Sequence, residues 1–296
     1  MSFTRSVIFA LAWAASIPVL AQSLSLSTGP VDGRMAMASR PESTGKAERE
    51  AADDFVLDAA ATLTGVSFTG LIAGTGSGMP TIEKVVIEIY SLYPDSSNAA
   101  RIPGVPTRTN SPSDVALASL DSSTTGELEF STSVVSTSFV AANSVLAGIN
   151  HFPNQKTGGD GPVTGSEVAF DLSFSSLLLD AGHYFLVPQV QMTNGEFYWL
   201  SASPGASFTS DLQSWERGDS ISPDWLRVGA DIAGQSTFNA AFSLTGNVAA
   251  VPEPETWALM LFGLTLVLGK KRASNRRSDE QSVVAPWSSA TFQSKA

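Results

Sequence analysis

The chain has 296 residues, a formal net charge of −11 and no cysteine, and only 15% of its residues are charged. The lack of cysteine excludes disulfides and thiolate chemistry, so the hydrophobic core alone must stabilise any exported domain. Residues 22–251 contain 10 basic and 24 acidic residues, and a surface this acidic repels phosphate backbones, which argues against nucleic-acid binding. The abundance of Ser, Thr and Gly favours strands and turns over exposed helices, which usually carry Glu/Lys pairs.

Residues 1–21 have the pattern of a signal peptide. Arg5 supplies the positive start, residues 7–15 form an apolar centre, and Pro18 interrupts it. Val19 and Ala21 place small residues three and one positions before a cut, as signal peptidase requires. We therefore predict export and cleavage after Ala21 by signal peptidase; the alternative is a buried N-terminal helix or strand.

Residues 22–51 are small, polar and interrupted by Gly and Pro, with one or two helical turns expected at 46–52. Such composition is typical of loops. We predict an irregular linker over 22–51.

From residue 52 to 249 the sequence consists of short β-type runs separated by turn residues. Val85, Ile87 and Ile89 recur at every second position, which predicts a strand with one apolar face. A slip in the alternation at Gly65 is consistent with a β-bulge. The predicted strands cover residues 54–59, 61–72, 82–94, 126–139, 167–179, 183–192, 196–202 and 236–248.

These runs predict an all-β fold over residues 52–249, an antiparallel β-sandwich or jelly-roll-like domain. No helix of crossover length separates the strands, which argues against a parallel α/β fold. Asn194-Gly195 lies between two strand runs and predicts a hairpin. The loops at 97–114 and 150–166 are expected to cluster at the ends of the sandwich and to supply any binding surface.

A short apolar run, Trp257–Leu268, lies between Pro252-Glu253-Pro254 and a basic cluster that begins with Lys270, Lys271 and Arg272. As a helix the run would span roughly 18 Å, less than the ~30 Å hydrocarbon core of a bilayer. The basic residues would stop the helix at the cytoplasmic face. We predict a short transmembrane helix that is a transient anchor; a buried core strand or helix is the alternative.

The triplet, the apolar run and the basic stop together resemble the PEP-CTERM sorting signal of Gram-negative bacteria, over residues 250–277. The resemblance implies that the partner is an exosortase, a membrane-embedded transpeptidase that processes its substrates at or near Pro252-Glu253-Pro254. It further implies export to the periplasm, outer envelope or extracellular matrix after transient anchoring in the inner membrane. This chain departs from the family pattern in its polar tail, residues 278–296. The strand motifs of residues 52–249 also resemble exported β-sandwich domains that precede such signals.

No catalytic constellation is evident in the sequence. His151 and His183 lie in different elements, and neither fits a zinc-ligand spacing. The Gly-rich stretch at 73–80 lacks the Lys-Ser/Thr of a phosphate loop and the spacing of a dinucleotide fingerprint, so we interpret it as a hairpin loop. We predict no catalytic residues, no metal site and no cofactor.

Two weaker hypotheses concern ligands. Asp53, Asp54 and Asp58, or Asp219 with Asp224, could line a calcium site, although solvated acidic loops are the simpler interpretation. Among four aromatic residues (Tyr198, Trp199, Trp215 and Trp225), the indoles of Trp215 and Trp225 are candidates for stacking on sugar rings. The competing interpretation is that Trp199 and Trp225 fill the core.

The sequence therefore predicts a non-enzymatic exported protein of the cell envelope or extracellular matrix, sorted by an exosortase. The alternatives are a carbohydrate-binding module associated with exopolysaccharide and a secreted hydrolase. The predicted partners are therefore exosortase, signal peptidase, the membrane and, for the carbohydrate-binding alternative, exopolysaccharide.

Overall fold

The structure is a computed structural model that describes residues 22–76, 78–152, 154–203, 213–249 and 261–265. The chain divides into two units, and one of them comprises residues 21–249. The other contains residues 1–20 and 250–296, of which the structure describes residues 261–265, a helical segment. The predicted signal peptide, residues 1–21, and the polar tail, residues 278–296, lie outside the described residues.

The described residues of the larger unit form fifteen strands and one π-helix. The strands are β1 (Gln22–Ser27), β2 (Val31–Ala38), β3 (Arg49–Leu57), β4 (Ala61–Gly74), β5 (Thr81–Leu92), β6 (Pro112–Asp121), β7 (Leu128–Ala141), β8 (Ser144–Val145), β9 (Val163–Leu179), β10 (Gly182–Thr193), β11 (Gly195–Ala202), β12 (Trp215–Gly218), β13 (Leu226–Arg227), β14 (Asn239–Ala240) and β15 (Phe242–Val248). The π-helix spans Val228–Ala233.

The strands form two sheets. In the nine-stranded sheet, β4 pairs with β9 along one side and with β15 and β11 along the other. β7 extends this sheet beyond β9, β1 extends it beyond β15, and β2 with β8 extends it beyond β11. The second sheet has six strands in the order β13-β12-β3-β10-β5-β6. Every described pairing is antiparallel except β2 with β8.

The main hydrophobic core contains residues from both sheets. Alternation along each strand sends every second side chain inward, and Val85, Ile87 and Ile89 of β5 are at most 1% exposed. Phe170 of β9 and Phe197 of β11 meet edge-to-face with ring centroids 5.4 Å apart, a preferred aromatic geometry. The predicted all-β sandwich is therefore confirmed, as is the bulge at Gly65, where the β4–β9 register shifts.

The prediction of an irregular linker over residues 22–51 is wrong, because β1, β2 and the start of β3 lie there. β1 pairs with β15 from Gln22–Val248 to Ser27–Ser243, and β2 pairs with β11. Gly and Pro in this stretch mark turns between strands, and partners distant in sequence supply the backbone hydrogen bonds that make the segments strands.

The hairpin predicted at Asn194-Gly195 is also wrong. β10 pairs with β3 and β5 in the six-stranded sheet, whereas β11 pairs with β2, β4 and β14 in the other. Asn194 adopts a left-handed conformation (φ 54°), so the chain bends as the dipeptide predicts. The bend leads the chain from the six-stranded sheet to the nine-stranded sheet, because the strands that flank β10 differ from those that flank β11.

Candidate functional site

The residues predicted for sorting and for the membrane stop lie outside the described residues: Pro252, Glu253, Pro254, Lys270, Lys271 and Arg272. Residues 261–265, inside the predicted apolar run, are helical. Within the described part of the chain, no helix has both the length and the apolar character needed to cross a membrane. The roles of the triplet and the basic cluster remain predictions.

The structure contradicts the hypothesis that Trp215 and Trp225 stack on sugars. Trp215 is 0% exposed and Trp225 1% exposed, because both pack into a cluster with Ala52, Tyr90 and Phe185 on the outer face of the six-stranded sheet. The Trp225 indole N–H donates to the Ser113 carbonyl oxygen at 3.2 Å. A ring that is buried on both faces has no surface to offer a ligand, so the competing core interpretation is the correct one.

The carboxylates considered for calcium do not converge. Asp53 accepts hydrogen bonds from the Ser214 hydroxyl at 2.6 Å and from the Ala240 N–H, whereas Asp54 lies 2.8 Å from Nε2 of His183. Consecutive strand residues point to opposite faces, and burial raises the pKa of both carboxyls. Among the described residues, no group of three or more His, Asp or Glu is arranged to hold a metal ion.

Asp224 belongs instead to an ion-pair network that fastens a long loop. It bonds the Arg101 guanidinium and accepts the Gly104 N–H at 2.7 Å, and Asp114 pairs with Arg108. These bonds connect residues 101–108 to the segment that carries Trp225. The loop predicted at 97–114 is thus held onto the domain through its arginines, and its last residues already belong to β6.

Sequence reasoning missed one polar cluster, formed by Glu48, Glu50, Glu88, Tyr90 and Arg217, in which the two outer carboxyls, Glu48 and Glu88, are half-buried and the other three residues are buried. We call it the outer-face carboxylate cluster. The Tyr90 hydroxyl donates to Glu50 Oε1 at 2.8 Å, and its oxygen lies 3.0 Å from Glu88 Oε2. Arg217 Nη2 donates to Glu50 Oε1 at 2.9 Å, and its guanidinium lies over the Trp225 ring, 4.3 Å from the centroid. Pairing of β12 with β3 places Arg217 directly opposite Glu50.

The charges of this cluster are unbalanced, since three carboxyls surround one guanidinium. Burial, followed by repulsion from Glu50, raises the pKa of Glu88 from 4.5 to about 7. Burial and the same neighbour raise the pKa of Glu48. Glu50 keeps its charge partner in Arg217, whereas Glu88 holds a proton up to neutral pH and shares the Tyr90 hydroxyl with Glu50. A cluster of this kind exchanges a proton near pH 7, and its side chains connect β3, β5 and β12.

Only part of this cluster was visible in the sequence. Glu88 and Tyr90 occupy alternate positions of β5 and so share its second face. Glu50 and Arg217, which are 167 positions apart, are brought together by strand pairing alone.

A comparison with protein-family models matches residues 250–277 to the PEP-CTERM protein-sorting motif. The comparisons with curated proteins and with solved structures found no match. The motif is that of exported, envelope-sorted proteins that an exosortase processes, in agreement with the resemblance drawn from the triplet, apolar run and basic cluster. The chain therefore carries a PEP-CTERM protein-sorting motif at residues 250–277.

Proposed function

We propose that this protein is a non-enzymatic component of the cell envelope or extracellular matrix, whose β-sandwich an exosortase delivers there. The observation that carries the proposal is the motif at residues 250–277, which directly follows β15 and Ala249. Three of the titratable groups inside the sandwich also support it. Hydrogen bonds or ion pairs engage the carboxylates of Asp53, Glu50 and Asp224. These contacts hold strands and loops together, so the three carboxylates have a structural role.

Processing at the triplet follows from its backbone chemistry. Two prolines fix φ and remove two N–H donors, so Pro252-Glu253-Pro254 cannot join a helix that begins after it. An extended segment is what a transpeptidase draws into its site. Glu253 is the charge between the prolines, and we propose that it contacts a basic pocket of the exosortase.

Mass spectrometry of protein released from exosortase-containing cells tests this proposal. Wild-type protein should begin at Gln22 and lack residues 257–296, whereas Glu253→Ala should retain them while its signal peptide is still removed. Glu255→Ala is the matched control, because it removes a nearby charge outside the triplet and should leave processing unchanged. Wild-type protein that keeps residues 257–296 in these cells would refute exosortase sorting.

The non-enzymatic part needs a separate measurement. Purified protein incubated with neutral and anionic polysaccharides should release no reducing ends above a buffer control. Reproducible release that tracks protein concentration would instead establish the secreted hydrolase.

A further inference from the structure

Hydroxyl side chains form two rows on the outer face of the nine-stranded sheet, and each row crosses five strands. Residues paired directly across strands share a face, so the register defines the rows. The first row is Ser27, Ser243, Ser67, Asp171 and Ser131, across β1, β15, β4, β9 and β7. The second is Ser25, Thr245, Gly65, Ser173 and Glu129, across the same strands. We call these two rows the hydroxyl face.

The hydroxyl face is open to solvent. Ser27, Asp171 and Ser131 are exposed, and Ser67 and Ser243 are half-buried. Neighbouring hydroxyls lie close enough to bond, since Ser243 Oγ donates to Ser27 Oγ at 3.0 Å. Short side chains of similar length leave this surface flat, with rows about 6.8 Å apart along the strands and residues about 4.8 Å apart across them.

A shallow depression of about 170 Å³ lies beside the middle of the first row. Ser67, Asp171 and Ser243 line it, together with Thr69 and the loop from Gly29 to Val31. The depression therefore adds a concave region beside the middle of the flat face, and Asp171 is one of the residues that line it.

Charge limits which ligand fits. β1, β4, β7, β9 and β15 contain no Lys or Arg, although soluble surfaces usually mix both signs. The charges on the hydroxyl face are the carboxylates of Asp171 and Glu129. Such a surface repels an anionic polymer and has no cation to bind a phosphate or carboxylate. A neutral ligand is favoured.

Hydrogen-bond chemistry limits the ligand further. Each Ser or Thr hydroxyl both donates and accepts, and a carboxylate accepts from hydroxyl donors. The complementary ligand is one that carries many hydroxyls in a row. Register shifts at Leu63/Gly65 and Thr245/Gly246 interrupt the spacing, so a flexible chain fits the rows better than a rigid lattice such as ice.

We propose that the hydroxyl face binds a neutral polysaccharide chain laid across β1, β15, β4, β9 and β7. Beyond β7 no described strand continues the sheet, so a polymer can run past its edge. The proposal deepens the proposed function, because it rests on delivery to the matrix and names the class of molecule held there. It involves neither Trp215 nor Trp225.

Affinity electrophoresis of the purified full-length protein in gels containing dextran, mixed-linkage β-glucan or alginate tests the proposal. At least one neutral glucan should retard the wild type, and alginate should not. Ser67→Ala/Asp171→Ala removes two hydrogen-bonding groups of the first row, and we expect the dissociation constant to rise about tenfold. Ser131→Lys, at an exposed position, should weaken binding by obstructing the same row.

The matched control is Ser119→Ala/Asp58→Ala, which removes the same two groups at exposed positions elsewhere and should leave retardation unchanged. Circular dichroism should show that every variant is folded. Absence of retardation by both neutral glucans, retardation by alginate alone, or equal retardation of wild type and Ser67→Ala/Asp171→Ala would overturn the proposal. Sorting is scored separately by mass, so protein that binds glucan yet keeps residues 257–296 refutes only the exosortase step.

Discussion

Glu88→Gln should raise the stability of the sandwich at pH 8 and change it little at pH 4.5. Burial and Glu50 raise the pKa of Glu88 from 4.5 to about 7, so the folded state holds a proton that the unfolded state releases between these values. The stabilisation from this proton is complete below about pH 4.5 and is lost as the pH rises through about 7. Above that pH the ionised carboxylate opposes folding, and a glutamine has no charge to do so.

The pKa change sets the size of the effect. A rise from 4.5 to about 7 corresponds to about 3 kcal/mol at 1.36 kcal/mol per pH unit. Glu88 is partly exposed and shares the Tyr90 hydroxyl with Glu50, so solvent screening reduces this figure. We expect Glu88→Gln to gain about 1–2 kcal/mol at pH 8 relative to pH 4.5.

Urea unfolding of wild type and variant at pH 4.5, 6 and 8 measures this difference directly. Comparing the two proteins at each pH cancels the titration of other groups. Glu42→Gln, at an exposed position, is the control and should show no such pH trend. If the stability difference between Glu88→Gln and wild type is the same at pH 4.5 and 8, the assignment of a raised pKa to Glu88 is wrong.

Three further substitutions probe the interior, each read by urea unfolding. Arg217→Met should destabilise the fold by about 3–5 kcal/mol at pH 8, because it leaves Glu50 buried without its cation. Glu216→Gln should stabilise it at pH 8 but not at acid pH, since burial raises the pKa of Glu216 well above its usual value; equal effects at both pH values would argue against this. Gly70→Ala should destabilise by about 1–3 kcal/mol, because a Cβ there would overlap the Phe197 ring, and an unchanged midpoint would refute that contact.

The strand content was predictable wherever apolar residues alternate within one segment. β4, β5, β9, β10 and β11 fall within a few residues of the predicted runs, because alternation is a local property that a strand with one buried face requires. β1 was missed although "SLSLS" alternates, since its surroundings are rich in Gly and Pro. What makes it a strand is pairing with β15, at the far end of the domain.

The candidate sites were less predictable than the strands. A period of two says that Trp215 and Arg217 share a face, but it does not say whether that face is covered. Here the segment that carries Trp225, held by Arg101 and Asp224, covers it. Similarly, the rows of the hydroxyl face depend on how five strands pair with one another. That register cannot be predicted from the sequence of any one strand.

The two ends of the described domain meet in one strand pair, β1 with β15. Gln22 lies directly opposite Val248, and the Ala249 N–H donates to the Ala60 carbonyl oxygen at 2.7 Å. Cleavage after Ala21 would leave β1 whole, and the sorting motif begins only at residue 250. β15 is held on one side by β1 and on the other by β4, so cleavage after Ala21 and at residues 252–254 would leave both of these pairings whole. We therefore expect processing to leave the fold of the sandwich unchanged.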